Sequence, residues 1–371
     1  MEPERGVPGD ERERIVEKEL REELRRARPG VQLRRDRCVR SYPPPPPPRA
    51  HLLRLLITHP ASFLIPEYDS LPRIQLFSFC RPRCFSPDID WEFPGYGPHG
   101  GTPADTDNFV LLLRDVRSAL DAYANATYPD GERTFGLTAA LPCLPALVDR
   151  QDVPGLTEVL TELSLMTFDF HGTWSEVVGV NSPLYDDQDS QGGGRSVDGC
   201  VERWLRDGAD KSKINVGLPF YGRSYSGATE LHADFDGPDG LNWWADGGEP
   251  QYYNILDKLS NMTSLRDDVT KTQYAFFEDG GVVSFDDNEA ICDKVEYARE
   301  KELHGLFIWE LSGDLTEDLK TPLLDAVNYK LEQGDSLDCE IFRLQTRDED
   351  GNVAVQDGSE ENPWYGEFQK G

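Results

Sequence analysis

Ser86-Pro87-Asp88-Ile89-Asp90-Trp91-Glu92-Phe93-Pro94-Gly95 is the stretch on which the reading of this chain turns. Asp88, Asp90 and Glu92 stand at i, i+2 and i+4. In a β-strand that spacing sets three carboxylates on one face and Ile89, Trp91 and Phe93 on the other. A strand that is apolar on one side and triply acidic on the other is built for chemistry, not stability. Like charges this close repel, so at least one carboxyl should hold its proton to unusually high pH. A protonated carboxyl beside ionised ones suits general acid catalysis. Pro94 and Gly95 end the strand. Glu92 therefore sits at its C-terminal edge, the end at which parallel α/β folds keep catalytic side chains. In so acidic a protein, the pattern D-x-D-x-E alone could equally mark a solvated edge strand.

The chain has 371 residues and a formal charge of −30. That charge is uneven: residues 1–84 carry 17 basic and 12 acidic side chains, the remainder 21 and 56. The acidic body would be repelled by phosphate backbones, which excludes nucleic acid and fits a neutral substrate such as a polysaccharide. No run of 18 apolar residues occurs, so no membrane span is expected. Cys38, Cys80, Cys84, Cys143, Cys200, Cys292 and Cys339 lack zinc-ligand spacing. The last four suit disulfides whose pairing the sequence leaves open. Asn125-Ala126-Thr127 and Asn261-Met262-Thr263 are glycosylation sequons, relevant in a secreted protein.

Residues 1–84 form a separate region. Glu and Arg fill 10–28, six prolines follow at 43–48, and 51–65 is moderately apolar. The region reads as low-complexity and disordered. Its basic residues are almost all Arg, a compositional break that suggests a mis-predicted upstream exon. Sequencing the 5′ end of the transcript tests this.

From Phe85 the pattern is regular. Helices are predicted from Thr102 through Leu120, at 155–161, 197–205, 288–303 and 315–331. Strands are predicted at 135–141, 163–168, 214–220 and 306–309. Strand–helix alternation implies a parallel sheet. The Trp-, Tyr- and Gly-rich residues 224–285 are too long for a loop and read as an inserted subdomain. Trp243, Trp244, Tyr252 and Tyr253 either extend a cleft wall or fill that subdomain's core. Residues 334–371 are expected to form an acidic flexible tail.

The acidic stretch resembles the D-x-x-D-x-D-W-E-Y-P signature of glycoside hydrolase family 18, the chitinases. Met166-Thr167-Phe168-Asp169 resembles its M-x-Y-D motif, Gly217-Leu218-Pro219-Phe220-Tyr221-Gly222-Arg223 its seventh-strand segment, and Gly305-Leu306-Phe307-Ile308-Trp309 its eighth. Ser284-Phe285-Asp286-Asp287 is similar to the segment leaving the family's insertion. The match runs from about Phe85 to Val327. It implies a (β/α)8 TIM barrel lacking roughly its first three strands, with residues 85–333 the catalytic domain and 224–285 a small α+β insertion. The signature's first Asp is replaced by Phe85.

The resemblance implies cleavage of β-1,4-linked N-acetylglucosamine with substrate assistance and retention. Glu92 would be the general acid, with Asp90 orienting the acetamido group and Asp88 tuning Asp90. Phe93, Met166, Phe168, Asp169, Tyr221, Arg223 and Trp309 would bind substrate. Phe168 replaces the family's Tyr and loses one hydrogen bond, worth ~1–3 kcal/mol. No cofactor or metal is implied. Chitin or chitooligosaccharide is the partner, and the protein would be a secreted monomer. An endo-β-N-acetylglucosaminidase acting on glycoproteins is the neighbouring reading, and the insertion favours chitin. A non-catalytic chitin- or glycan-binding protein and a truncated, inactive product are the rivals.

Overall fold

The computed structural model describes residues 86–342, apart from 130, 132, 188–192, 244–246 and 318. The region 1–84, Phe85, Trp244 and the tail beyond 342 lie outside the described residues.

Strand β1 (Asp88–Asp90) leads through a short 3-10 turn into helix α1 (Asp105–Thr127). Strand β2 (Thr138–Leu141), the short helices α2 (Pro145–Val148) and α3 (Val153–Val159), strand β3 (Glu162–Leu165) and helix α4 (Val197–Arg206) follow. Strand β4 (Ile214–Pro219) precedes the stretch predicted as an insertion. That stretch holds β5 (Arg223–Tyr225), α5 (Tyr252–Leu259), β6 (Thr263–Asp267), β7 (Thr272–Phe276) and β8 (Val282–Phe285). Helix α6 (Asn288–Glu300), strand β9 (Gly305–Trp309) and helix α7 (Pro322–Gln333) close the order.

Strands β1-β2-β3-β4-β9 form one five-stranded sheet, parallel at every pairing. Strands β5-β8-β7-β6 form a separate antiparallel sheet. The parallel sheet is apolar on one face. Ile89, Ala139, Leu141, Leu163, Leu165, Ile214 and Val216 pack there against Phe109, Leu113 and Leu120 of α1, Leu156 of α3, and Val201 and Trp204 of α4. Alternation along each strand sends the intervening residues to the other face. There the register stacks Asp88, Thr138 and Glu162 in one row, and Asp90, Ala140, Ser164, Asn215 and Gly305 in the next. A second core joins Leu218 and Phe220 to α5, α6, α7 and the antiparallel sheet.

Of the helix starts, those expected at 102 and 315 differ most from the pattern. Thr102 does bond Asp105, through its N–H at 2.6 Å and its hydroxyl at 3.0 Å, but the helix begins at Asp105. That carboxylate is occupied in tying the preceding loop together. The helix expected from 315 begins at Pro322, because Asp314 accepts from the N–H groups of Leu323 (3.0 Å) and Leu324 (2.8 Å) and so fixes the first turn.

The flexible tail expected from 334 is corrected for its first nine residues. Leu337, Cys339 and Phe342 are buried in the second core, and Cys339 is disulfide-bonded to Cys292. Cys143 pairs with Cys200 and joins the β2 end to α4. The disulfides close loops of 57 and 47 residues, each constraining the unfolded state by about 4 kcal/mol in the loop-entropy picture.

Candidate active site

Ile89 is buried, while Asp88 and Asp90 lie on the sheet face away from the helices and are partly accessible. The strand itself stops at Asp90, so Glu92 stands just beyond it, exposed, with Phe93 half-buried after it. Trp91 anchors this exit by an edge-on contact with Phe109 of α1, centroids 5.6 Å apart. The backbone carbonyl of Glu92 meets Nδ1 of His99 at 3.0 Å. The Glu92–Phe93 and Trp309–Glu310 peptide bonds are both cis.

Burial raises the Asp88 carboxyl above its usual range. The Thr138 hydroxyl, which donates to Asp88 Oδ1, opposes the rise, and the charge on Glu162 adds to it. At Asp88, then, repulsion within the acidic stretch does not lead. Desolvation leads, and the like charge comes from two strands away. Glu162 is itself bonded by Asn215 Nδ2 at 2.8 Å, in the neighbouring row.

A second cluster forms where β3 and β4 end. After Leu165 the backbone leaves the sheet, and Asp169 takes a left-handed conformation at φ 59°. Its Oδ1 accepts from the Tyr221 hydroxyl at 2.6 Å and from Arg223 Nε and Nη2 at 2.9 and 2.6 Å. Tyr221 and Arg223 are both 6% exposed. Burial first, and then the Asp169 charge, push the Tyr221 phenol well above its usual range, so it stays a donor. Burial pulls the Arg223 guanidinium down, but Asp169, Tyr221 and Glu249 outweigh it and the group stays charged. Phe168 is half-buried, edge-on to Tyr221 and Phe307 with centroids 6.0 Å away in each case. Met166 is half-buried at the β3 end, its N–H donating to Leu141 at 2.9 Å. Trp309 ends β9, 37% exposed.

Asp88 opens β1, and the other expected site residues lie at or just past the C-terminal ends of β1, β3, β4 and β9. The sequence profile of the glycosyl hydrolases family 18 matches residues 80–314. This chain belongs to that family. Mouse Chitotriosidase-1 is 35% identical over 64% of this chain and 51% of its own length. The catalytic domain 2 of the Ostrinia furnacalis Group II chitinase superposes with a TM-score of 0.60 at 30% identity, over 67% of this chain and 66% of that one. The Ostrinia furnacalis Group IV chitinase, solved with allosamidin, gives 0.59 at 29% identity over 67% and 68%. The chain spans about half the length of the mouse family member.

Sequence reasoning missed three contributors. Trp174 is 57% exposed and carries the Arg223 guanidinium 4.8 Å from its ring centre. It lies five residues after Asp169, in a loop without periodicity. Glu249 pairs with Arg223 from the segment between β5 and α5. Phe307 braces Phe168 above Gly217, where a Cβ would stand 2.8 Å from Phe168 and 2.9 Å from Phe307. Trp243 and Tyr252 are buried in the second core, at 4% and 1%. Among the described residues no helix is long and apolar enough to cross a membrane.

Proposed function

We propose that this chain hydrolyses β-1,4-linked N-acetylglucosamine in chitin or chitooligosaccharides, with retention at the anomeric carbon. The observation that carries the reading is that two groups accompany strands β1, β3 and β4 of one parallel sheet. The carboxylate row of β1 supplies acid chemistry, and the Asp169–Tyr221–Arg223 cluster supplies a charged, hydrogen-bonded grip. Parallel α/β folds place their chemistry at the C-terminal ends of their strands. Family membership supports the substrate class, as does the Group IV relative's crystallisation with allosamidin.

In the proposed route Glu92 gives its proton to the glycosidic oxygen as the C–O bond breaks. The sugar's own acetamido oxygen attacks the anomeric carbon, forming an oxazolinium ion. Asp90 orients the acetamide and offsets its positive charge. Asp88, with its raised affinity for a proton, lets Asp90 share a proton without two adjacent charges. Water then attacks the anomeric carbon and yields its proton to Glu92, which restores the acid. Phe93, Met166, Phe168, Asp169, Tyr221, Arg223 and Trp309 line the sugar sites, and the exposed face of Trp309 stacks on a pyranose ring. The route uses neither metal nor cofactor. The five parallel strands stand for the fourth to eighth strands of the family's barrel, and 224–285 for its insertion. The two disulfides support a secreted protein in an oxidising compartment, and we propose that it acts as a monomer.

The test is Glu92→Gln, assayed on chitooligosaccharides beside the unmutated protein. Hydrolysis should vanish while binding persists. A Gln variant that still turns over sinks the assignment. Binding without hydrolysis by the unmutated protein makes it a glycan-binding protein instead.

A further inference from the structure

We propose that Asn181 is the positioning residue that sets the Asp169–Tyr221 pair. The inference rests on the catalytic reading above for its consequence, though not for its geometry. Asn181 lies in the long connection between β3 and α4 and is 1% exposed. Its Oδ1 accepts from the N–H of Asp169 at 3.0 Å, and its Nδ2 donates to the carbonyl of Tyr221 at 3.2 Å. One buried amide thus holds the backbones of two site residues that are 52 positions apart in sequence.

Asn181 is itself fixed at both backbone groups. Its carbonyl accepts from Phe170 N–H at 3.1 Å, and its N–H donates to Ser284 Oγ of β8 at 2.7 Å. Ser182 adds a second anchor, since its hydroxyl donates to the Thr167 carbonyl at 2.5 Å and accepts from the buried Lys294. The backbone at 167, 169 and 170 is therefore bonded to Asn181 and Ser182.

The left-handed turn at Asp169 explains why such a fixture is needed. A residue with a Cβ visits this region at a cost, and it persists there only where the surroundings over-determine it. Without the turn the chain beyond Phe168 would take another direction, and the Asp169 carboxylate would not meet Tyr221 and Arg223. The Asn181 amide supplies the acceptor that the turned N–H requires and the donor that the Tyr221 carbonyl requires. A leucine of similar size would leave both buried and unpaired.

The experiment compares the full chain with Asn181→Ala and Ser284→Ala. The first readout, independent of turnover, is hydrogen exchange of the Asp169 amide resolved by NMR. It should be protected in the parent and exchange about 100-fold faster in Asn181→Ala, at a temperature where circular dichroism shows both folded. Ser284→Ala is the smaller change, and it should speed the same amide to an intermediate degree. The second readout is chitooligosaccharide hydrolysis. Asn181→Ala should lower kcat ~100-fold with KM little changed, the scale expected for a misplaced catalytic group. A merely structural role would lower the melting temperature and leave kcat of the folded protein alone. An Asp169 amide that exchanges at the parent rate in a folded variant overturns the inference, and so does an unchanged kcat. A parent protein without hydrolysis overturns the catalytic reading, while the exchange data still decide the clamp. Should Asn181→Ala not fold, parent-like exchange in Ser284→Ala overturns it.

Discussion

The Tyr221 hydroxyl donates to Asp169 Oδ1 at 2.6 Å, and the same oxygen takes two further bonds from Arg223. Three donors on one oxygen fix the direction of a carboxylate that is otherwise 39% accessible. Removing one donor leaves the charge in place and loosens its aim. Tyr221→Phe should therefore lower kcat/KM about tenfold, the kinetic equivalent of ~1.4 kcal/mol. Steady-state kinetics on a chitooligosaccharide check this, with a thermal melt beside it. An unchanged kcat/KM would reduce Tyr221 to packing.

Phe168 stands where the family motif carries Tyr, in edge contact with Tyr221 and Phe307. On the proposed chitooligosaccharide reading, restoring the hydroxyl adds a donor for the acetamido oxygen, worth about 1 kcal/mol net. Phe168→Tyr should raise kcat/KM about fivefold. A fall would mean that the ring's para position is closed by its neighbours and that this cleft takes its ligand differently.

Gly217 is required by closeness, not by backbone freedom. A Cβ there would stand 2.9 Å from the Leu165 carbonyl, which cannot move without breaking the β3–β4 pairing, and as close to Phe168 and Phe307. Gly217→Ala should cost ~1–3 kcal/mol of stability and displace Phe168, so that activity falls further than the melt alone would account for. Denaturant unfolding with kinetics on the same sample separates the two effects.

What the sequence could reveal follows from the range of the forces involved. The alternation in Asp88-Ile89-Asp90-Trp91 has a period of two and exposes its two faces directly. The alternating apolar residues Leu163 and Leu165, and Ile214, Val216 and Leu218, likewise mark buried strands. Lone-residue decisions were less legible. Asp314 stops one segment and starts α7 by capping, a role that looks like any acidic residue in a line of text. The fold-back of 334–342 depends on Cys339 finding Cys292, which four similar cysteines could not specify. Asn181 acts through bonds to Tyr221 and Ser284, 40 and 103 residues away, and no periodicity announces such contacts. The raised affinity of Asp88 for a proton rests first on burial, and Glu162 adds to it only because β2 pairs with both β1 and β3.

Two buried carboxyls make the fold sensitive to pH. Burial raises Asp287 from 3.8 to about 7, against a bond from Ala290 N–H and the charge of Arg266. Burial likewise raises Asp314 to about 7, against the bonds from Leu324 and Leu323. A carboxyl whose folded pKa lies above its unfolded value stabilises the fold when protonated. That contribution is complete below about 3.8 and is lost as pH rises through about 7. Between about pH 5 and pH 8 the melting temperature should therefore fall with rising pH. Asp314→Asn should flatten part of the slope. An equal slope in parent and variant would remove Asp314 from the account.

Lys294 and Asp286 form an ion pair sealed from solvent, the lysine 0% and the aspartate 1% exposed. Burial leads the shifts of both, lowering the lysine and raising the aspartate, while each charge partly restores the other. Deleting one partner strands the other in a medium that cannot solvate it. Lys294→Met should cost about 3–5 kcal/mol of stability. Replacing both, Lys294→Met with Asp286→Leu, removes the stranded charge and should recover most of that loss, because a sealed pair gains little over apolar side chains of similar volume. Denaturant midpoints of the parent, the two singles and the double variant close a cycle. If the double variant is as unstable as the two single losses added together, the pair is not coupled. A coupling energy above about 2 kcal/mol establishes the two as an interacting pair.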